Sequence, residues 1–112
     1  MSYNVELSNN FKQEAKRLSK KYLSLKSELK ELFKELEDNP TLGIPLGNGI
    51  YKIRLAIASK GKGKSGGARI LSFVKVTETT VLLFSIYSKG EIDSLTDKQI
   101  KKLIKEALAE EE

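Results

Sequence analysis

Four residues in the middle of the sequence are of the types that handle a phosphodiester: Lys52, Arg54, Arg69 and Tyr87. Lys52 and Arg54 lie two apart in the run Ile50 to Ala58, which alternates as a strand does. Alternation places both cations on one face, about 7 Å apart, and turns Tyr51, Ile53, Leu55 and Ile57 to the other. Arg69 opens the next strand and Tyr87 closes the one after it. Antiparallel pairing would let all four converge on one sheet face. The face of Arg69 is left open, because Leu71 and Phe73 share it. Guanidinium forks hold phosphate oxygens and stabilise the charge added in a transition state. A phenol stacks on a base or transfers a proton. Neighbouring cations favour the neutral form of a lysine, which makes Lys52 the candidate base.

Other chemistries are poorly supplied. Histidine and cysteine are absent, which removes the usual general base, the thiol nucleophile, disulfides and thiolate zinc sites. Glu91 and Asp93 sit together after the last strand without an evident third ligand, and Glu31, Glu35, Glu37 and Asp38 read as a solvated helix face. A divalent-metal nuclease is therefore disfavoured, and no metal or other cofactor is expected. The stretch Ser59 to Gly67 (SKGKGKSGG) has the wrong spacing for a nucleotide phosphate loop and precedes a strand instead of a helix. It reads as a flexible loop whose Lys60, Lys62 and Lys64 mould to a phosphate backbone.

Charge is distributed to match. The net charge is +5, yet seven cations and no acid fall between Asn39 and Thr77 (Lys52, Arg54, Lys60, Lys62, Lys64, Arg69, Lys75), leaving 13 basic and 15 acidic residues elsewhere. A local basic patch is the footprint of a polyanion partner. With 112 residues, 39% of them apolar, the chain has room for a single domain over residues 1–112. No apolar run approaches the roughly 20 residues of a membrane span, the N-terminus lacks a signal-peptide profile, and the cytoplasm is the expected compartment.

The elements that must position these residues follow from periodicity. Tyr3 to Leu7 reads as a short strand, and Ser8, Asn9 and Asn10 offer caps for a helix with Phe11, Ala15, Leu18 and Tyr22 on its buried stripe. Ser24 is placed to cap a second helix with Leu25, Leu29, Leu32, Phe33 and Leu36 on one face, ended by Asp38-Asn39-Pro40. Thr41 to Gly49 reads as a loop. Strands follow over 50–58, 68–76 and 80–87, joined as an antiparallel meander. Thr96-Asp97-Lys98-Gln99 is a capping box for a last helix with Ile100, Leu103, Ile104, Ala107 and Leu108 on one face. The expectation is an α+β fold, β-α-α-β-β-β-α, with an antiparallel sheet packed against a helical hairpin and a C-terminal helix.

Taken together, Tyr51-Lys52-Ile53-Arg54-Leu55, the Lys-Gly-Lys-Gly-Lys-Ser-Gly-Gly loop, the Arg69 strand and Ile86-Tyr87-Ser88-Lys89 resemble the RelE/ParE superfamily of type II toxins, most of all its HigB-like branch. The resemblance spans roughly residues 40–100 in detail and the whole chain in element order. It implies a RelE-like fold and a ribosome-dependent mRNA interferase. Such an endoribonuclease works without metal, cutting mRNA in the ribosomal A site by attack of the RNA 2′-hydroxyl on the adjacent phosphate. By position, Lys52 and Arg54 match the family's basic strand and Arg69 its phosphate-stabilising arginine. Tyr87 with Lys89 matches the aromatic and basic end of the last strand, and Lys60, Lys62 and Lys64 would grip ribosomal RNA. A cognate antitoxin, frequently of helix-turn-helix type, is the implied partner besides ribosome and mRNA. The sequence departs from RelE itself in having Gly90 where an arginine follows the last strand and no tyrosine beyond Tyr87; Ala68 stands where an aromatic often precedes the arginine. A ParE-like gyrase inhibitor and a non-catalytic RNA-binding toxin are the alternatives.

Overall fold

Ser8 starts the helical part of the chain. Its hydroxyl accepts from the Phe11 N–H at 3.1 Å, and Lys20 and Lys21 face the negative end of the same helix. The computed structural model describes residues 2–61 and 63–110. Within them run β1 (Asn4–Leu7), α1 (Asn9–Lys21), α2 (Leu25–Asp38), β2 (Ile44–Gly47), β3 (Ile50–Leu55), β4 (Ala68–Lys75), β5 (Thr80–Ser88) and α3 (Asp97–Ala109), with 3-10 turns at Ala58–Lys60 and Val76–Glu78. This is the expected α+β order with one more strand.

The added strand is β2, inside the stretch expected to be a loop. Asn48 and Gly49, both at positive φ (55° and 79°), make the tight turn that returns it to β3. Pro45 is tolerated there because β2 is the edge. Ser24 does not cap α2 as expected. Its backbone is already helical, and its hydroxyl donates to Glu28 Oε1 and pairs with the Ser59 hydroxyl instead. The Thr96–Gln99 capping box of α3 forms as expected.

The sheet order is β1-β5-β4-β3-β2. The meander β3-β4-β5 is antiparallel, but β1 joins β5 in parallel, so the sheet is mixed. One face packs on the α1–α2 hairpin: Ile53, Ile57, Ile70, Val81, Leu83 and Ile86 meet Phe11, Leu18, Leu25, Leu29, Leu32 and Leu36. The other face carries a second core, in which Leu71, Leu82 and Phe84 pack with Ile50 and Phe73 against α3. That second core occupies the end of the sheet where β3 starts and β4 ends. The remaining part of this face is where the cations stand.

A β-bulge decides which residues share that face. Leu71 pairs with Ser85 and Ser72 with Leu83, leaving Phe84 as the extra residue. An unbroken ladder would set Ile86 opposite Arg69 and turn Tyr87 to the helical side. The bulge moves Tyr87 opposite Arg69 instead.

Candidate functional site

Arg54, Arg69 and Tyr87 form one row across β3, β4 and β5, since Arg54 pairs with Arg69 and Arg69 with Tyr87. Directly paired residues share a face. Lys52, two residues from Arg54, joins them one row nearer the second core, opposite Leu71. The open question about Arg69 is thereby answered: it shares its face with Leu71 and Phe73, whose part of that face α3 covers. Lys52, Arg54 and Lys64 line a groove of about 300 Å³ beside the stretch of β3 that β2 does not reach.

Each member of the row has a different environment. Arg54 is exposed. Arg69 is only 7% exposed, and its guanidinium donates to the backbone carbonyls of Lys64 (2.8 Å), Ala68 (3.2 Å) and Ser65 (3.3 Å). It thus folds the glycine-lysine loop back over the sheet. Gly67 makes that return possible, because a Cβ there would collide with the Leu55 carbonyl oxygen. Tyr87 is 2% exposed. Burial pushes its phenol up, against the opposing pull of Arg69, Lys89 and the Leu95 N–H that donates to it. The phenol therefore keeps its proton at neutral pH.

The remaining predicted contacts are not all gathered here. Lys64 stands at the groove, and Lys62 lies outside the described residues. Lys60 turns to the other side of the sheet. Its ammonium donates to the Ser88 hydroxyl at 2.7 Å and stands 5.5 Å from the Tyr22 ring centre. Tyr22 is lowered from its ordinary value, first by its hydrogen bond with Ser88 and then by Lys60 and Lys21. Lys89 is near Tyr87 but held by Asp93, whose carboxylate it meets at 2.6 Å. That bond holds the Asp93 carboxyl below its ordinary range. Glu91 goes elsewhere, to Arg17 at 3.2 Å and Lys21 at 3.6 Å. The two neighbouring carboxylates thus diverge into separate ion pairs.

Sequence reasoning missed two positions that shape the site. Asp93 fixes Lys89, and the spacing of four residues was its signal. Glu14 closes the edge of β5 beyond β1: its carboxylate accepts from the Ile86 N–H (3.1 Å) and the Ser85 hydroxyl (3.2 Å), beside Tyr87. Nothing local in α1 signals that role. Burial pushes the Glu14 carboxyl up, against those hydrogen bonds and Arg17.

A mixed sheet with a helical hairpin on one face, and a basic row beside a C-terminal helix on the other, defines the class. The structure resembles that of an E. coli toxin RelE double mutant in the free state, with a TM-score of 0.63 and 17% identity over 94% of this chain and 97% of that one. At that identity the likeness shows the fold. Residues 8–111 match the family described as the RelE toxin of the RelE/RelB toxin–antitoxin system, and the chain belongs to that family. Among the described residues, no helix is long and apolar enough to cross a membrane.

Proposed function

We propose that this RelE-family toxin is a ribosome-dependent mRNA interferase of the HigB-like kind, cutting mRNA in the A site and neutralised by a cognate antitoxin. The observation that carries the reading is the register row Arg54–Arg69–Tyr87, with Lys52 and Lys64 beside it. Arg54 and Arg69 hold the scissile phosphate and stabilise its added charge. Lys52 takes the 2′-hydroxyl proton as the 2′-oxygen bonds to phosphorus. The bond from phosphorus to the 5′-oxygen breaks, and that oxygen takes the proton kept by Tyr87. The products are a 2′,3′-cyclic phosphate end and a 5′-hydroxyl end. Lys64 and Lys89, with Lys62 of the same loop, hold the flanking RNA, whereas Lys60 is turned away from it.

One observation favours a second reading, an RNA-binding toxin that does not cut. Arg69 already donates to two loop carbonyls, Lys64 and Ser65, and to that of Ala68 at the start of β4, and Tyr87 is covered. Cleavage then requires the loop to lift from Arg69 as RNA enters. The test is purified protein in a translating extract, with mRNA ends mapped by primer extension. Cuts that need both ribosomes and Arg54 support the interferase. Salt-sensitive ribosome binding with intact mRNA supports the second reading, and gyrase inhibition without either would replace both.

A further inference from the structure

The groove beside β3 holds one charged residue that the cleavage scheme does not use. Glu35, in the last turn of α2, lines it together with Lys52, Arg54 and Lys64. It is exposed, as the solvated face of α2 should be. Yet three cations share its groove, and among the described residues it forms an ion pair with none of them. The carboxylate does not serve its own helix, because negative charge in a last turn opposes the helix dipole. Nor does it serve phosphate binding, since it repels the oxygens that the neighbouring cations attract. A group that donates hydrogen bonds, carried by the same strand as the phosphate, is what it suits.

The rest of the lining supplies a seat for a flat ring. Leu32, Leu42 and Leu55 give it aliphatic surface. β2 pairs with β3 only as far as Lys52, so Arg54 lies on an open strand edge. The Lys52 carbonyl points to the β2 side, where a Cβ on Gly43 would collide with it. Peptide groups two residues apart on a strand point the same way, so the Arg54 N–H and C=O face the groove. The Leu42 N–H does not close that edge, because it donates to the Asn39 carbonyl at 3.3 Å. A volume of about 300 Å³ is at the lower end for small-molecule sites and admits one nucleoside.

The donor pattern of the bases decides which one fits. A carboxylate accepts two parallel N–H bonds. On its Watson–Crick edge only guanine sets two N–H groups side by side, at N1 and N2. Adenine and cytosine place a bare ring nitrogen beside the amine, and uracil flanks its one N–H with two carbonyls, so each turns a lone pair on the carboxylate. We propose that this groove is a guanine subsite, in which Glu35 reads a base of single-stranded RNA next to the phosphate held by Arg54. The Arg54 N–H is the donor for the guanine O6. The subsite rests on the RNA reading above and adds a base preference to it.

The probes are short labelled uridine strands with guanosine, adenosine or inosine at the centre, inosine lacking the N2 amine. Their binding to the full chain is read by fluorescence anisotropy. The guanosine strand is expected to bind at least about tenfold more tightly than the adenosine strand, with inosine between them. Glu35→Gln should bring that ratio to about 1–2 while tightening the adenosine strand, because a repulsion from phosphate is removed. Glu31→Gln, one turn earlier and outside the groove, should leave the ratio as it is. Both acids are exposed, so neither change should disturb the fold. Equal binding of the three strands overturns the subsite. So does a gain on Glu35→Gln that is the same for all three, since the carboxylate then only repels. Guanosine monophosphate competing as well as the guanosine strand would give the groove to a free nucleotide and overturn the RNA assignment. mRNA ends are mapped separately in the translating extract, where cuts next to guanine should lose that preference in Glu35→Gln. Cuts with no guanine preference in the wild type overturn the subsite and leave the interferase standing. Selective guanosine binding with intact mRNA strikes the interferase and keeps the subsite.

Discussion

Arg54 and Arg69 stand opposite each other but do different work, and their substitutions should separate. Arg54 is exposed, so Arg54→Ala should leave stability within about 0.5 kcal/mol and reduce cleavage about 100-fold. Arg69 also ties down the loop, so Arg69→Ala should cost about 1–3 kcal/mol in urea unfolding besides a comparable loss of cleavage. Equal stability of the two variants would mean that the loop holds without Arg69. Glu14 gives a prediction of a different kind. Its carboxyl is raised above 4.5 in the folded chain, chiefly by burial, so the folded state holds the proton more tightly than the unfolded one. This group's share of stability is therefore greatest below its unfolded pKa and falls as pH rises through the folded one. Glu14→Gln keeps an acceptor for the Ile86 N–H and removes the charge. Relative to the wild type, the variant should gain stability between pH 4.5 and neutrality. An unchanged difference in unfolding free energy at the two ends of that window would remove the assignment.

At the scale of elements, the β3–β4 loop is shaped by where a Cβ fits. Gly67→Ala would drive a methyl into the Leu55 carbonyl, displacing the acceptors of Arg69; a loss of about 2–3 kcal/mol and most of the cleavage is expected. Gly63 also has positive φ (61°) but open space around it, so Gly63→Ala should cost about 1 kcal/mol and little cleavage. Thermal melts and primer extension on both variants check the contrast; equal effects would sever loop shape from the site. The contrast also marks what the sequence made legible. Lys52 and Arg54 were placed by alternation because β3 is buried on one face only along their stretch. Alternation fails at Arg69 because both faces of β4 are covered, one by the hairpin and the other partly by α3. Tyr87 reaches the row only through the Phe84 bulge, and β1 chooses its parallel direction through pairing with a strand more than 70 residues away. Neither carries a local signal. Lys60 stands apart from Lys64 because the 3-10 turn at Ala58–Lys60 and the left-handed Gly61 redirect the chain after β3, which no alternation in the loop signals. The Asn48-Gly49 turn, by contrast, was a readable hairpin signal, hidden only by the short partner strand Ile44–Gly47.

Over the whole molecule, a net charge of +5 understates how the cations are arranged. The sum outside residues 39–77 conceals a groove between α1 and α2 that is walled by Lys12, Lys16, Lys20, Lys26 and Lys30, with no acid among its lining residues. Two basic surfaces result, on opposite sides of one sheet, and they differ in what surrounds the charge. Lys52, Arg54 and Lys64 share their groove with Glu35 and with aliphatic side chains of α2 and β3, whereas the hairpin lysines border a floor that holds two phenyl rings. Salt dependence distinguishes them in use. Binding of single-stranded RNA weakens with salt at a log–log slope of about −0.7 for each phosphate neutralised. With three cations at the groove beside β3, oligouridylate should show a slope of about −2. Lys52→Ala/Lys64→Ala should bring it to about −0.7, while Lys16→Glu/Lys30→Glu should leave it unchanged. The slopes are measured by anisotropy at constant pH across a series of salt concentrations. If the hairpin variant lowers the slope and the β3 variant does not, RNA travels over the helices, and the row of Arg54, Arg69 and Tyr87 loses its claim to the substrate.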